Sequence, residues 1–473
     1  MKKIILLSLL SFTLFAQKTK DKLLESIAKK ESFYGEIAKQ IWNFAEVGYQ
    51  ETKSSALLQK TLENEGFIIK NGVAEIPTAF VAEFGQGKPI IGILGEFDAL
   101  PGVSQDSIPT QKSIGAVAGH ACGHHLFGTA SAAAVIGIKD WMKANNIKGT
   151  IRFYGTPAEE GGSGKVYMVR AGLFNDVDVV LHWHPGAANT ADAASSLANK
   201  SAKFRFYGIS AHASASPERG RSALDGVEAM DNMVNMLREH VPSNTRIHYV
   251  ITSGGKAPNV VPDFAEVYYY CRNPSREVLM GVWDRVEKAA QGAAMGTGTR
   301  VETELIGGVY ELLPNETLAT MMHENLQKVG GFQYTPAEKL FAEQISKSMG
   351  IEKVKYEEAE TVGDFKSDGT LSGGSTDVGD VSWVVPTVGL RTATWVPGTP
   401  AHSWQAVAAG GMSIGRKGMM IAAKTLALTA TELFENPAAI TAAKTEFEKN
   451  RGGKDFKYVP LLGGRKPALD YRK

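Results

Sequence analysis

Three stretches, "KPIIGILGEFDALPG", "GTIRFYGTPAEEGG" and "DVVLHWHPG", constrain the fold of this chain more than anything else in it. Each opens with a short apolar or β-rich run and closes in polar residues and glycines. Buried strands of a largely parallel sheet read this way, because helices cover both faces and the apolar run need not alternate. Between the first two lies "LFGTASAAAVIGIKDWMKANN", an alanine-rich helix suited to close packing on a sheet. Strands alternating with helices predict an α/β domain, where ligands gather at the carboxyl ends of strands. The polar clusters of all three stretches fall at those ends.

Between Ser201 and Leu312 the pattern changes. "AKFRFYGISAHAS", "RIHYVITSGG", "AEVYYYCRNP" and "TRVETELIGGVY" read as strands. "SALDGVEAMDNMVNMLREH", opened by Ser222 with Asp225 three residues on, and "REVLMGVWDRVEKAAQGAA" read as helices. The order β-α-β-β-α-β predicts a ferredoxin-like α+β insert. The expected organisation is therefore an α/β catalytic domain, with a mostly parallel sheet flanked by helices, in two pieces (17–200 and 313–473) around an inserted lid (201–312). The Gly/Lys-rich tail after Asn450 is expected to be poorly ordered.

"MKKIILLSLLSFTLFAQ" has two lysines, an apolar run from Ile4 to Phe15, then Ala16. This is the layout of a secretory signal peptide over residues 1–16, and the run is too short to span a membrane. An exported chain, periplasmic or secreted and without a membrane anchor, is expected. The 473 residues carry a formal net charge of +1 and no basic stripe, which argues against a nucleic-acid partner. With two cysteines, at most one disulfide can form.

"AGHACGHHLFG" crowds His120, Cys122, His124 and His125 together. Side chains two apart point the same way in an extended segment, so Cys122 and His124 could present a thiolate and an imidazole to one metal. A structural zinc finger needs a second Cys/His pair at short spacing, and none exists. A cysteine hydrolase using Cys122 with a distant histidine stays open on spacing alone. In "TPAEEGG", Glu159 and Glu160 are neighbours that face apart, so one can bind a metal while the other stays free as a base. "GGSGK" is no phosphate loop, since Val166 follows Lys165 where Ser or Thr is required. His182 and His184 occupy alternate strand positions, and His402 lies in the loop "GTPAHSWQ". His240, His248 and His323 read as structural.

Taken in order, "GHACGHH", "TPAEEGG", "LHWHP", "GISAHAS", "APNVVP" and "GTPAHS" resemble the di-metal amidohydrolases and peptidases related to aminoacylase and glutamate carboxypeptidase. "GEFDALPG" and "GSTDVGDVSW" add to the likeness, which spans Glu25 to Ala430. The branch with a Cys-Gly-His motif includes hippurate and auxin-conjugate hydrolases. The resemblance implies a di-zinc-peptidase-like catalytic domain, a lid that also dimerises, and two divalent ions, Zn or Mn. It matches Cys122, His124, Glu160, His182 and His402 to the metal ligands and Glu159 to the general base. Asp98 matches an acidic residue supporting the centre, and His212 a lid histidine that meets the oxyanion, often in a neighbouring subunit. Asn259 and Arg272 match lid positions that hold the substrate carboxylate or carbonyl. His125 stands where Asp or Asn is usual, and it and His184 fall outside the implied ligand set. The implied activity is hydrolysis of the amide bond of N-acyl amino acids or small peptides with a free carboxylate. The implied assembly is a homodimer, or a heteromer with a homologous subunit. A dipeptidase or carboxypeptidase of the same fold, a metal-independent cysteine hydrolase and a non-catalytic binding protein are the rival readings.

Overall fold

The computed structural model describes residues 18–367, 369, 371 and 373–472, and the expected signal peptide lies outside them. Strands β1 (Ile68–Asn71), β2 (Phe80–Gln86), β3 (Ile90–Gly95), β4 (Gly149–Gly155), β5 (Val179–Gly186) and β10 (Thr387–Ala393) form one sheet in the order β1-β2-β4-β3-β5-β10. The pairs β4/β3, β3/β5 and β5/β10 are parallel, and β2 runs against both its neighbours. Every residue of β3 is buried, as its unbroken apolar run requires.

Helices α1 (Glu31–Phe44) and α2 (Thr52–Asn64) precede the sheet, and α3 (His124–Asn145) is the alanine-rich helix. With α6 (Ser413–Glu435), α3 packs side by side against the central strands. Small residues line both helices, which lets their backbones approach the sheet closely and share one core with it.

The insert is built from β6 (Ala198–Tyr207), α4 (Ala223–Leu237), β7 (Arg246–Ser253), β8 (Phe264–Asn273), α5 (Arg276–Thr297) and β9 (Arg300–Val309). Its antiparallel sheet has the order β9-β6-β8-β7, the ferredoxin-like arrangement. Its first strand begins at Ala198, three residues ahead of the expected boundary. Ser222 caps α4 by accepting from the Asp225 amide at 3.1 Å. The insert has its own apolar core, in which Cys271 is buried as a free thiol. Among the described residues no helix is long and apolar enough to cross a membrane.

The tail after Asn450 departs from expectation. It has little regular structure, yet it is tied down along its length. Tyr458 Oη donates to Asp380 Oδ1 at 2.6 Å, Tyr310 Oη to the Val459 carbonyl at 2.7 Å, and Gln50 Nε2 to the Leu469 carbonyl at 2.7 Å. Arg465 reaches the insert, donating to the Ile306 carbonyl at 3.2 Å. Tyrosine hydroxyls and backbone carbonyls, rather than an apolar periodicity, hold this arm, so hydropathy patterning gives no sign of it.

Candidate metal centre and active site

Three strand ends and two loops meet at one point. Cys122 and His124 are brought there by a tight turn: Gly123, the N-cap of α3, has φ +79° and His124 opens the helix. The extended segment expected from their spacing is absent. A Cβ at Gly123 would approach Pro185 to 2.6 Å, so glycine serves both the left-handed turn and the contact with β5. His402, with φ +60°, is held against the same turn by its amide, which donates to the Ala121 carbonyl at 3.0 Å.

Two groups of ligand atoms form around the thiol. Cys122 clusters with His124 and His184, and it clusters separately with Glu160 and His402; within each group all ligand atoms lie within 4.8 Å of one another. Cys122 Sγ is 3.4 Å from His184 Nε2, and His402 Nε2 is 3.3 Å from Glu160 Oε1. A thiol common to two donor sets is the arrangement of a bridging ligand.

His182 is the exception among the five implied ligands, because it joins neither group. Its side chain lies across β10 instead, where a Cβ on Gly389 would sit 2.3 Å from the ring. Burial lowers its pKa to about 3. His184, two residues on and nearer the strand end, joins Cys122 and His124 instead, while both histidines line the cavity above the centre. His184 Nδ1 lies 2.7 Å from the Pro185 carbonyl, which fixes its proton there and leaves Nε2 free to bind a cation.

Asp98 supports both half-sites. Its Oδ1 lies 2.8 Å from His124 Nδ1 and its Oδ2 accepts from the Glu160 amide at 2.9 Å. Burial works against its charge, but His124 prevails and holds the pKa down to about 2. With Nδ1 engaged, His124 turns Nε2 toward Glu96, 3.0 Å from Oε2. Neither of these atoms makes a hydrogen bond, and Glu160 Oε1 is a third buried atom without one. Buried polar atoms are rarely left unpaired. Donors of this chemistry turned toward common points fit divalent cations, and the thiolate and imidazoles suit zinc-like softness.

Glu159 faces the same space outside the two thiol-centred groups, in a third cluster with Glu96 and His124. Burial, and then the negative charges of Glu96, Glu160 and Asp377, hold its carboxyl well above the ordinary range. Beneath it Lys165, fully buried, spans Glu96 Oε1 at 2.6 Å and Asp377 Oδ1 at 2.7 Å. Lys165 is no phosphate ligand; it neutralises carboxylates that would otherwise repel one another. The alternation of Glu96 with Asp98 at the end of β3 is the sequence signal for Glu96. Nothing local marks Lys165 or Asp377, which meet across more than two hundred residues.

A cavity of about 1160 Å³ opens above the centre, lined by Cys122, Glu159, Glu160, His184 and His402 and, from the lid, by Arg272. His248, expected to be structural, lies on its wall. His212 and Asn259 do not line it. They are exposed on adjoining lid loops, tied by the Ala213 amide donating to the Asn259 carbonyl at 3.0 Å. His212 Nδ1 accepts from the amides of Ser214 and Ala215 at 3.3 and 3.2 Å, which leaves Nε2–H free to donate. His125 is bound by Nε2 to the Gly410 carbonyl at 3.0 Å and packs with its ring tilted against that of His120, in none of the ligand groups.

Fold and donor set together define a metal-dependent peptidase or amidohydrolase with an inserted lid. Residues 198–296 match the peptidase dimerisation domain of the M20 family. The chain is 41% identical over 452 residues to one of the subunits of the p-aminobenzoyl-glutamate hydrolase of Escherichia coli, covering 90% of this chain and 94% of that protein. It is 30% identical over 441 residues to the Xaa-Arg dipeptidase of Mus musculus, with 90% and 91% covered. A dinuclear metal-binding M20 peptidase from Bacillus subtilis superposes with a TM-score of 0.56 at 18% identity, over 86% of this chain and 99% of that one. The chain belongs to the M20 family and is a hydrolase of that family.

Proposed function

We propose that this hydrolase cleaves the amide bond of N-acyl amino acids that carry a free carboxylate, p-aminobenzoyl-glutamate or a close analogue among them. The observation that carries the reading is the thiol shared by two donor groups, with the Glu159 carboxylate beside them in a third cluster with Glu96 and His124. Cys122, His124 and His184 would hold one cation, and Cys122, Glu160 and His402 the other, Zn or Mn. Bound there, divalent ions would acidify water and polarise the amide carbonyl.

The chain's own residues do the rest. Glu159 takes a proton from water and then gives that proton to the departing amine. Asp98 holds His124 and Glu160 in place. Arg272 receives the substrate carboxylate in its planar fork. His212 presents Nε2–H to the oxyanion and Asn259 the amide partner, delivered by lid closure or by a neighbouring protomer. A homodimer through the insert, or pairing with a homologous chain, fits the dimerisation-domain match and the multi-subunit make-up of the E. coli relative. The amino-terminal leader supports export to the periplasm or beyond. A dipeptidase is the second reading, favoured by the likeness to the Xaa-Arg dipeptidase.

The test is elemental analysis of purified protein followed by a hydrolysis screen of N-acyl amino acids and dipeptides with and without chelator. Two metal equivalents per chain and chelator-sensitive amide cleavage are expected. Glu159→Gln should keep the metal and lose turnover by about a thousandfold. Near-normal turnover in that variant would overturn the assignment.

A further inference from the structure

The arm reaches the active site. Tyr471 Oη donates to the Glu160 carbonyl at 3.0 Å, and Arg472 Nη2 donates to the same oxygen. Arg472 thereby becomes part of the cavity wall, with Nη1 buried and without a partner. A Cβ on Gly161 would lie 3.6 Å from both Arg472 Nη2 and Tyr270 Oη. Tyr270 in turn packs under Arg272, whose guanidinium carbon is 5.6 Å from the ring centroid and whose Nε is also unpartnered. The arm's arginine and the lid's arginine therefore flank one tyrosine.

A third guanidinium stands across the centre. Arg391 of β10 is in register with His184 and lines the same cavity, with Cys122 and Asp192 the acidic groups that act on it. Among the described residues no carboxylate pairs with Arg272, Arg391 or Arg472. One substrate carboxylate needs one fork. Three guanidinium groups around one cavity without a carboxylate in ion-pair contact, Arg472 holding only a backbone carbonyl, in a molecule that neutralises Lys165 with two carboxylates, are more than a monoacid requires.

We propose that Arg472, carried in by the arm, and Arg391, carried by β10, join Arg272 in an anion-binding collar that selects substrates with a second carboxylate: amides of dicarboxylic amino acids. The inference rests on the amide-hydrolase reading above and adds two specificity-determining residues to it. It also gives the arm a task. By bonding the lid through Arg465 and the centre through Tyr471 and Arg472, the arm holds the collar together across the domain boundary.

The test compares N-benzoyl-glutamate with N-benzoyl-glutamine, which differ in one carboxylate, on the metal-loaded wild type and on Arg472→Ala, Arg472→Lys and Arg391→Ala. Glutarate binding by calorimetry serves as a readout independent of turnover, and melting temperature reports folding. Losing a charged hydrogen-bond partner should lower the glutamate-to-glutamine ratio of kcat/KM about tenfold to a hundredfold, mainly through KM. Arg472→Lys, which keeps charge without the fork, should recover part of the loss and stay folded. Glutarate affinity should fall at least tenfold in both alanine variants. An unchanged ratio, or an equal fall for both substrates with unchanged glutarate binding, overturns the collar. Arg472-dependent glutarate binding without cleavage of either amide would leave the collar standing and remove the hydrolase reading instead.

Discussion

His182 and His184 are separated by two residues of strand, about 7 Å along β5. That step decides which imidazole can reach the thiol. His184 is level with the turn that carries Cys122, whereas His182 is one pleat repeat deeper and lies over Gly389. Removing His184 should halve the metal bound per chain, while His182→Ala should keep both equivalents. Inductively coupled plasma analysis of the two variants separates these outcomes, and a halving by His182→Ala would return the ligand role to that residue. The sequence places both histidines on one face of a strand. It cannot say where along the strand the centre sits, because that height is set by the loop at Cys122 and the loop at His402.

At the scale of elements, strand ends are legible in the sequence and the connections are not. Continuous apolar runs identify β3, β4 and β5, and the chemistry at their ends follows. The turn at Gly123 escapes sequence reasoning because two-residue spacing satisfies an extended strand and a left-handed turn equally well. The arm escapes it because its anchors are single polar contacts. One of them titrates. Asp380 accepts from Tyr458 Oη and from the Tyr310 amide at 3.0 Å, and its complete burial raises its pKa to about 7. A carboxyl with a raised folded-state pKa keeps its proton where the unfolded chain has lost it, so this group favours folding at low pH and ceases to do so as pH climbs from about 4 to about 7. The loss is on the order of 4 kcal/mol. Denaturant titrations of the wild type should show stability falling over that window, and Asp380→Asn should remove most of the slope. A slope that persists in the variant would assign it to other groups.

At the scale of the molecule, the ferredoxin-like insert leaves β7 as an edge strand with Tyr249, Val250 and Ile251 exposed. An apolar edge invites pairing with another chain unless it is covered or charged. If the insert dimerises as proposed, Val250→Lys should sediment as a monomer while the wild type sediments as a dimer, and an unchanged dimer would move the interface elsewhere. A monomeric variant should also lose turnover if His212 serves a neighbouring protomer's site.

The sequence by itself determined the class of fold, the β-α-β-β-α-β insert, and the residue types able to hold two cations and move a proton. These are local properties: periodicity fixes elements, and a side chain's chemistry does not depend on its distant neighbours. Tertiary structure decided which histidine stands beside the Cys122 thiol, how Lys165 comes to lie between Glu96 and Asp377, and that the arm lays Arg472 on the backbone of Glu160. Each of those depends on distances between residues far apart in the chain, and only closure of the fold sets such distances.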